Sequence, residues 1–592
     1  MLPSRLLIPA VGSTPSDPCL AELARFSGIE CETAPLQDLL SGTRRGPGTS
    51  GTSDECLALN VEILKEHIGN SPSPLEIVKV LIGPYRFLLI YNFTDDPFTR
   101  HLLRYLSDGS IDGVTHATPD AQFTVSLDSR TFSGALAGLS VGEACSSDLA
   151  LSVNSASKSA YVLLGEDPVL YHHSNGRASL AFVAGGAVAD IHAKTTRRRL
   201  EPQFSRLVLP LLGLRLLFGD ACWKPRAHHA TLIIDDPALW KRFGFIRFDP
   251  ALLRLLDEYG FHMSIAFIPY NHRRSNSSVA DMFRRRPDRL SLCIHGNDHT
   301  SAEFRSEDLP FLNSALKIAR SRMASHQSLT GIPQDNIMVF PQGTFSTHAM
   351  TALAANNFVA AINSGGYPQD EGNRLTLADV ISPAVHFRGF PVFFRQYLRD
   401  LSLSEIALHH FFGKPLLIAE HHQIFKDPSV ITTFVSMVNS VIPEVKWSSA
   451  QTAVENSTLY RRAPDGTIHA RVYANQGVLH NASRLPLNFV VERPNISSQL
   501  VSHIEVQGQG CDHEFTNDHL LRFKCSIGPN EQQRFRVVYR DELTTTQRGL
   551  GIRWRAQVFA RRLLSDLRDM YLHDGRRLKM GRLIQRSLRG RI

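Results

Sequence analysis

The stretch Ala230-Thr231-Leu232-Ile233-Ile234-Asp235-Asp236-Pro237 is an apolar run that stops on two adjacent carboxylates. Two later stretches end in a similar way. Leu290-Ser291-Leu292-Cys293-Ile294 runs into His295-Gly296-Asn297-Asp298-His299, and Leu416-Leu417-Ile418-Ala419 runs into Glu420-His421-His422. Short apolar runs bounded by polar breaks read as buried strands, with side chains that carry chemistry placed where each strand ends. Paired carboxylates and two histidines four apart can hold a hydrolytic metal ion and leave one carboxylate free as a base. The third segment supplies a candidate acid. Taken singly, each piece has a plainer reading: two solvated turn carboxylates, a chance His-x-x-x-His, a structural histidine. Their joint occurrence at three strand ends favours a metal site, because crowding two aspartates is costly unless a cation is present.

Around this stretch, from Ala227 to about Asn456, strand and helix patterns alternate. Expected strands are Ala230–Ile234, His262–Ile268, Leu290–Ile294, Asn336–Phe340, Phe358–Asn363, Asp379–Ser382, Pro391–Gln396 and Leu416–Ala419. Helical patterns fall at Pro250–Tyr259, Leu309–Ser325, Thr347–Ala355 and Ser404–Phe412. Seven or eight repeats over roughly 220 residues predict a (β/α)7–8 barrel with its site at the strand-to-helix ends. Phe340-Pro341-Gln342-Gly343 is a further strand end, where Pro341 and Gly343 let the backbone approach a substrate or simply make a tight turn. Arg388 and Arg395 can orient a carboxylate or a substrate oxygen, or can be surface charges.

At 592 residues the chain exceeds a single core. The reading is an α/β multidomain protein: an N-terminal α/β region of unread role over 1–223, the barrel over 227–455, a β-sandwich over 456–545 and a basic amphipathic helical tail over 546–592. In the first region Leu6–Val11, Val78–Ile82, Phe87–Tyr91, Ala160–Leu164 and Ala178–Val183 read as strands, and Ser41–Ser53 as a Gly/Ser/Thr-rich loop. It carries neither a phosphate-binding glycine loop nor a dinucleotide fingerprint. From about Asn456 to Arg540 helical periodicity gives way to short strands between turn signals such as Asp465-Gly466 and Gly528-Pro529. In the tail, Val558, Phe559, Leu563, Leu564, Leu567, Met570 and Tyr571 share one helical face, with Arg555, Arg561, Arg562 and Arg568 mostly off it.

The formal net charge of +8 is misleading until it is located. Residues 548–592 hold thirteen Lys/Arg against three Asp/Glu, so the rest of the chain is close to neutral. That tail suits an anionic membrane surface better than nucleic acid. The eight cysteines show no metal-binding spacing, which suits a reducing compartment. With no secretory pattern at the start and no long apolar run, the expected location is cytoplasmic, peripheral at the inner membrane face.

The order Asp235-Asp236, His295-x-x-x-His299, Pro341-x-Gly343 and a strand ending in His421-His422 resembles the NodB-homology polysaccharide deacetylases. These are β/α barrels of the glycoside hydrolase/deacetylase superfamily. The resemblance covers roughly Ala227 to Ser449. It implies that Asp235 is the general base, that Asp236, His295 and His299 bind a divalent metal, usually zinc, and that His421 or His422 is the general acid. Three positions depart from the family pattern. Pro237 replaces a glycine, Gly296 replaces Ser/Thr, and Val339-Phe340 stand where an arginine normally precedes the Pro-x-Gly turn. The ordinary partner of the base is then absent, unless Arg388 or Arg395 substitutes. The implied reaction is removal of acetate from an N-acetylated sugar of a polysaccharide, glycoconjugate or lipid-linked glycan. Two alternatives remain: a non-catalytic glycan-binding or assembly protein on a decayed barrel, and glycosidic hydrolysis with Glu420 as second acid.

Overall fold

The structure, a computed structural model, describes residues 2–11, 14–15, 17–40, 53–118, 120–154, 159–300, 302–517, 519–540 and 552–571. The loop expected at 41–52 and the tail beyond 571 lie outside them. The central sheet is built from β1 (His229–Asp235), β2 (Met263–Phe267), β3 (Leu290–His295), β4 (Ile337–Val339), β5 (Ala360–Asn363), β6 (Val385–Phe387), β7 (Phe390–Phe394), β8 (Gln396–Tyr397), β9 (Leu416–His421) and β10 (Lys446–Trp447). Their spatial order is β6-β7-β5-β4-β3-β2-β1-β9-β8, with β10 also on β1. Every pairing is parallel except the β6–β7 hairpin. The mostly apolar, buried composition of β1 to β4 follows, since a parallel sheet covered on both faces is apolar on both. Ile233 and Ile234 in β1, on opposite faces, are both fully buried, and each stabilises the sheet by about 2 kcal/mol.

The helices start and stop where their ends dictate. In α1 (Pro250–Tyr259) the Asp249 carboxylate accepts from the Ala251 and Leu252 amides, Pro250 opens the first turn, and Gly260 closes the helix in the left-handed region. The helix α2 (Leu309–Thr330) starts on an Asp308 cap and runs beyond the expected Ser325 until Gly331 stops it. Then come α3 (Thr347–Ala355), α4 (Leu403–Phe411) and α5 (Pro428–Val441).

A closed barrel was the expectation, and the sheet is open. Its two edges are β6 and β8, and β7, next to β6, is separated from β8 in sequence by Arg395 alone. At that residue the chain leaves β5 and moves to β9: the Arg395 amide still donates to the Asn363 carbonyl at 3.0 Å, while Gln396 and Tyr397 pair with Ile418 and Ala419. The interruption lets the Arg395 side chain turn inward. Two expected strands are helices. Leu377–Ile381 is wound by a capping box in which Thr376 and Asp379 exchange hydrogen bonds. Pro74–Ile82 begins on Pro74 and buries Val78 and Leu81 at i, i+3 spacing, which a strand cannot do on one face.

The N-terminal residues form a mixed ten-stranded sheet, parallel around Leu6–Val11, Ser53–Asn60, Tyr85–Tyr91 and Ser179–Val183 and antiparallel beyond. Toward the C-terminus, a six-stranded sheet that includes Leu487–Pro494 and Leu520–Ile527 faces a four-stranded sheet that includes Val501–Val506 and Gln532–Tyr539. Their inner faces meet at contacts such as Phe523 on Phe535, ring centres 5.8 Å apart. The buried Arg493 ties this pair of sheets to the β6–β7 hairpin, donating to the Gly389 carbonyl at 3.1 Å. The helix α6 (Ile552–Tyr571) splits the expected apolar face: Val558 and Arg562 are buried, whereas Phe559, Leu563 and Leu564 are exposed. No helix among the described residues is long and apolar enough to cross a membrane.

Candidate metal centre

The end of β1 delivers both carboxylates. Asp235 is its last residue, and Asp236 follows with φ of 79°, in the left-handed region that non-glycine residues rarely adopt. Pro237 then bars continuation of the strand. The backbone reversal brings the Asp236 carboxylate against the end of β3. His295 Nε2 lies 3.5 Å and His299 Nε2 3.1 Å from Asp236 Oδ1. One donor atom from each of the three residues lies within 4.8 Å of the others. His299 is also left-handed, at φ of 55°. Two such residues in one site represent strain of order 1–3 kcal/mol each, which persists when the surroundings hold it in place.

The residues present fit a divalent cation. His295 Nδ1 sits 2.9 Å from the Val339 carbonyl, so it carries the proton and leaves the Nε2 lone pair aimed at Asp236. Asp236 Oδ1 is buried and accepts no hydrogen bond. Lone pairs facing a buried carboxylate oxygen repel one another unless a cation lies between them. Burial works against ionised Asp236; positive charge on His299 and His295 outweighs it and holds this carboxyl well below the usual range, and a cation between them would take the place of that charge. Two nitrogens and one carboxylate oxygen form a donor set that suits zinc.

Asp235 faces a different partner. Arg395 Nη1 and Nη2 donate to its two oxygens, both at 2.6 Å, while Arg395 Nε donates to Ser364 at 3.0 Å. Both side chains are buried, 3% and 8% exposed. Burial pushes the Asp235 carboxyl up; the Arg395 charge prevails and holds it below its ordinary value. Arg388 is elsewhere, exposed at the two-residue turn between β6 and β7.

At the end of β9 the two histidines part. His421 Nδ1 is 3.9 Å from Asp236 Oδ2 and half exposed. His422 is buried, edge-on to Phe243 and stacked on Phe245, with the Phe245 amide donating to its Nδ1 at 3.3 Å. Its ring lies so close to Gly244 that a Cβ there would fall 2.1 Å from Nδ1. Glu420 accepts from the Leu398 amide at 3.1 Å, and burial raises its carboxyl.

Pro341 and Gly343 form the turn after β4. A Cβ on Gly296 would sit 2.5 Å from Pro341 Cγ and 2.8 Å from Glu303 Oε2, which explains a glycine where Ser/Thr is usual. The Gly343 carbonyl accepts from Asn363 at 3.0 Å.

Sequence reasoning missed the residues that shape this loop. Glu303 is buried and accepts the backbone amides of Asn297 and His299 at 3.2 Å and Asp298 at 3.1 Å. Burial, then the Asp298 charge, push its carboxyl up to about 7. Asp298 in turn accepts from Arg322 at 2.5 Å and from Trp554 Nε1, on α6, at 3.2 Å. The sole local signal for Glu303 is an acidic residue in a short polar connection after His299; nothing local points to Trp554.

No family model and no curated protein sequence matches the chain. Among solved structures it is similar to Agd3, a carbohydrate deacetylase, with TM-score 0.45 and 10% identity over 90% of this chain and 98% of that one. A putative polysaccharide deacetylase from Mycobacterium smegmatis aligns with TM-score 0.26 and 14% identity over 38% of this chain and 92% of that one. A family 4 carbohydrate esterase from Streptomyces lividans aligns with TM-score 0.24 and 9% identity, over 38% of this chain and 92% of its own.

Proposed function

We propose that the protein is a metal-dependent N-deacetylase of an acetylated glycan. The observation that carries this is the convergence on Asp236: two imidazole nitrogens on one side, the Arg395-bound Asp235 carboxylate beside it, and His421 within 3.9 Å. A divalent ion held by Asp236, His295 and His299 would supply Lewis-acid polarisation of the acetamide carbonyl and a more acidic water. Asp235 takes the proton of the attacking water, as an ionised carboxylate held in one orientation by the Arg395 fork. The water oxygen bonds to the acetyl carbon. His421 gives a proton to the amine nitrogen as the C–N bond breaks, so acetate and a free amino sugar leave. His422, walled in by Phe243 and Phe245, holds its imidazole and does not reach the reacting atoms. Pro341 and Gly343 line the same strand ends and are proposed to position the sugar. Glu420 is held by the Leu398 amide at 3.1 Å, which disfavours its use as a second acid in hydrolysis of a glycosidic bond.

A base, a ligand set and an acid at one site favour catalysis over a glycan-binding protein on a decayed sheet. Acetate release from N-acetylglucosamine and N-acetylgalactosamine oligosaccharides, with zinc supplied, tests this. Turnover that is lost in Asp235→Ala and His421→Ala supports it. Release of acetate by Asp235→Ala at the unmodified rate overturns the assignment of the base.

The reading extends to location. Exposed Phe559, Leu563 and Leu564 on α6, with the basic residues that follow in sequence, suit an anionic lipid surface at the cytoplasmic leaflet, where lipid-linked sugars are met. Flotation with phosphatidylglycerol-containing liposomes that is lost on deleting residues 546–592 supports this. Equal flotation with and without the tail removes it.

A further inference from the structure

A cavity of about 360 Å³ opens beside Arg395, between the chain preceding Leu200 and the segment Gln396–Ser402. Four arginines line it, Arg198, Arg199, Arg395 and Arg399, against one carboxylate, Asp400. Three of the four have partners: Arg395 is bound to Asp235, Arg199 pairs with Glu201, and Arg399 lies 3.8 Å from Asp400. Arg198 is different. Its guanidinium lies 5.6 Å from the Phe394 ring centre, and its Nη1 is buried with no acceptor among the described residues. Burial lowers its pKa, and the charges of Asp400 and Tyr397 do not fully offset that. Gln396 Oε1, on the same wall, is also buried and accepts nothing. A partly desolvated guanidinium with no acceptor in contact is costly, and its planar fork matches a carboxylate or phosphate. The larger hollow of about 720 Å³ in the sandwich offers no such preference, since Asp512 and Glu514 there face Arg522 and Lys524.

We propose that this cavity is an anion subsite that binds a carboxylate or phosphate carried by the substrate next to its acetylated sugar. Arg198 and Arg399 hold the anion, and Gln396 accepts a hydroxyl of the same sugar. The inference rests on the deacetylase reading, because Arg395 is the shared wall between this cavity and Asp235. The substrate class becomes an acidic glycan: hexuronate-containing if the anion is a carboxylate, phosphorylated or lipid-pyrophosphate-linked if it is a phosphate.

The test is kcat/KM of the zinc-supplied full chain on three matched oligosaccharides: neutral, carboxylate-bearing and phosphate-bearing beside the N-acetyl sugar. One anionic substrate should exceed the neutral one by roughly tenfold, through KM, and which one it is names the source of the anion. Arg198→Gln and the exposed Arg399→Gln should shrink that ratio toward one, and Arg198→Lys should recover part of it. Equal kcat/KM on all three, or an unchanged ratio in both Gln variants, overturns the subsite. If no substrate turns over, the deacetylase reading fails on its own terms. Calorimetric titration of the metal-free chain with the same oligosaccharides then decides the subsite: tighter binding of an anionic one that is lost in Arg399→Gln supports it, and equal binding overturns it.

Discussion

Replacing Arg395 by Met should cost more stability than any neighbouring core truncation, and the cost should vanish in part when Asp235 is neutralised too. The two side chains are 3% and 8% exposed and share two hydrogen bonds of 2.6 Å. Removing one member of such a pair leaves a buried charge without a partner, a penalty of about 3–5 kcal/mol. Asp235→Asn alone strands the guanidinium, less severely because the amide oxygen still accepts one bond. In the double variant neither charge is left, so its destabilisation should fall short of the summed single effects by about 2 kcal/mol or more. Equilibrium urea unfolding of the metal-free chain, followed by the fluorescence of its four tryptophans, measures all three variants. Effects that add to within about 0.5 kcal/mol would show that the pair is not coupled, and the reasoning about the base would fall with it.

Other expectations follow from the same geometry. Glu303→Gln keeps the shape of the loop support but donates where three amides need an acceptor, so zinc affinity should drop about 10–100-fold in a competition titration. Trp554→Phe removes the bond to Asp298, and the 295–303 loop should exchange amide hydrogen faster while the sheet does not. Burial would raise Glu492, but His469, Arg471 and Arg522 outweigh it and lower its carboxyl from 4.5 to about 2. Its contribution of about 3 kcal/mol is present above pH 4.5 and is lost as the pH falls toward 2. Glu492→Gln should flatten that acid limb in a pH series of melts.

What could be read from sequence was whatever is local. Asp235, Asp236 and His295 each sit one or two residues past an apolar run, and His299 lies four beyond His295, so strand ends and that spacing bring them into view. Alternation continued past the run Leu416–Ala419 suggests that His421 and His422 diverge, and which of them faces Asp236 depends on the turn that begins at His422 and on its packing against Phe243 and Phe245. Arg388 and Arg395 look equivalent in the chain; only the shift of pairing at Arg395 turns one of them inward. Closure of the sheet failed as an expectation for the same reason, because that shift is a tertiary event at one residue. Glu303, Arg322 and Trp554 act through contacts with a loop whose shape the sequence does not announce. The runs Val78–Ile82 and Asp379–Ser382 read as strands on hydropathy, whereas Pro74 in the first turn and the Thr376–Asp379 capping box make them helical.

Zinc titration of the metal-free chain beside its Asp236→Ala and Asp235→Asn variants tests the central claim most directly. The account predicts one tightly held ion per chain in the unaltered protein and in Asp235→Asn, and none in Asp236→Ala. Unchanged binding by Asp236→Ala, or no binding by the unaltered chain, would contradict it.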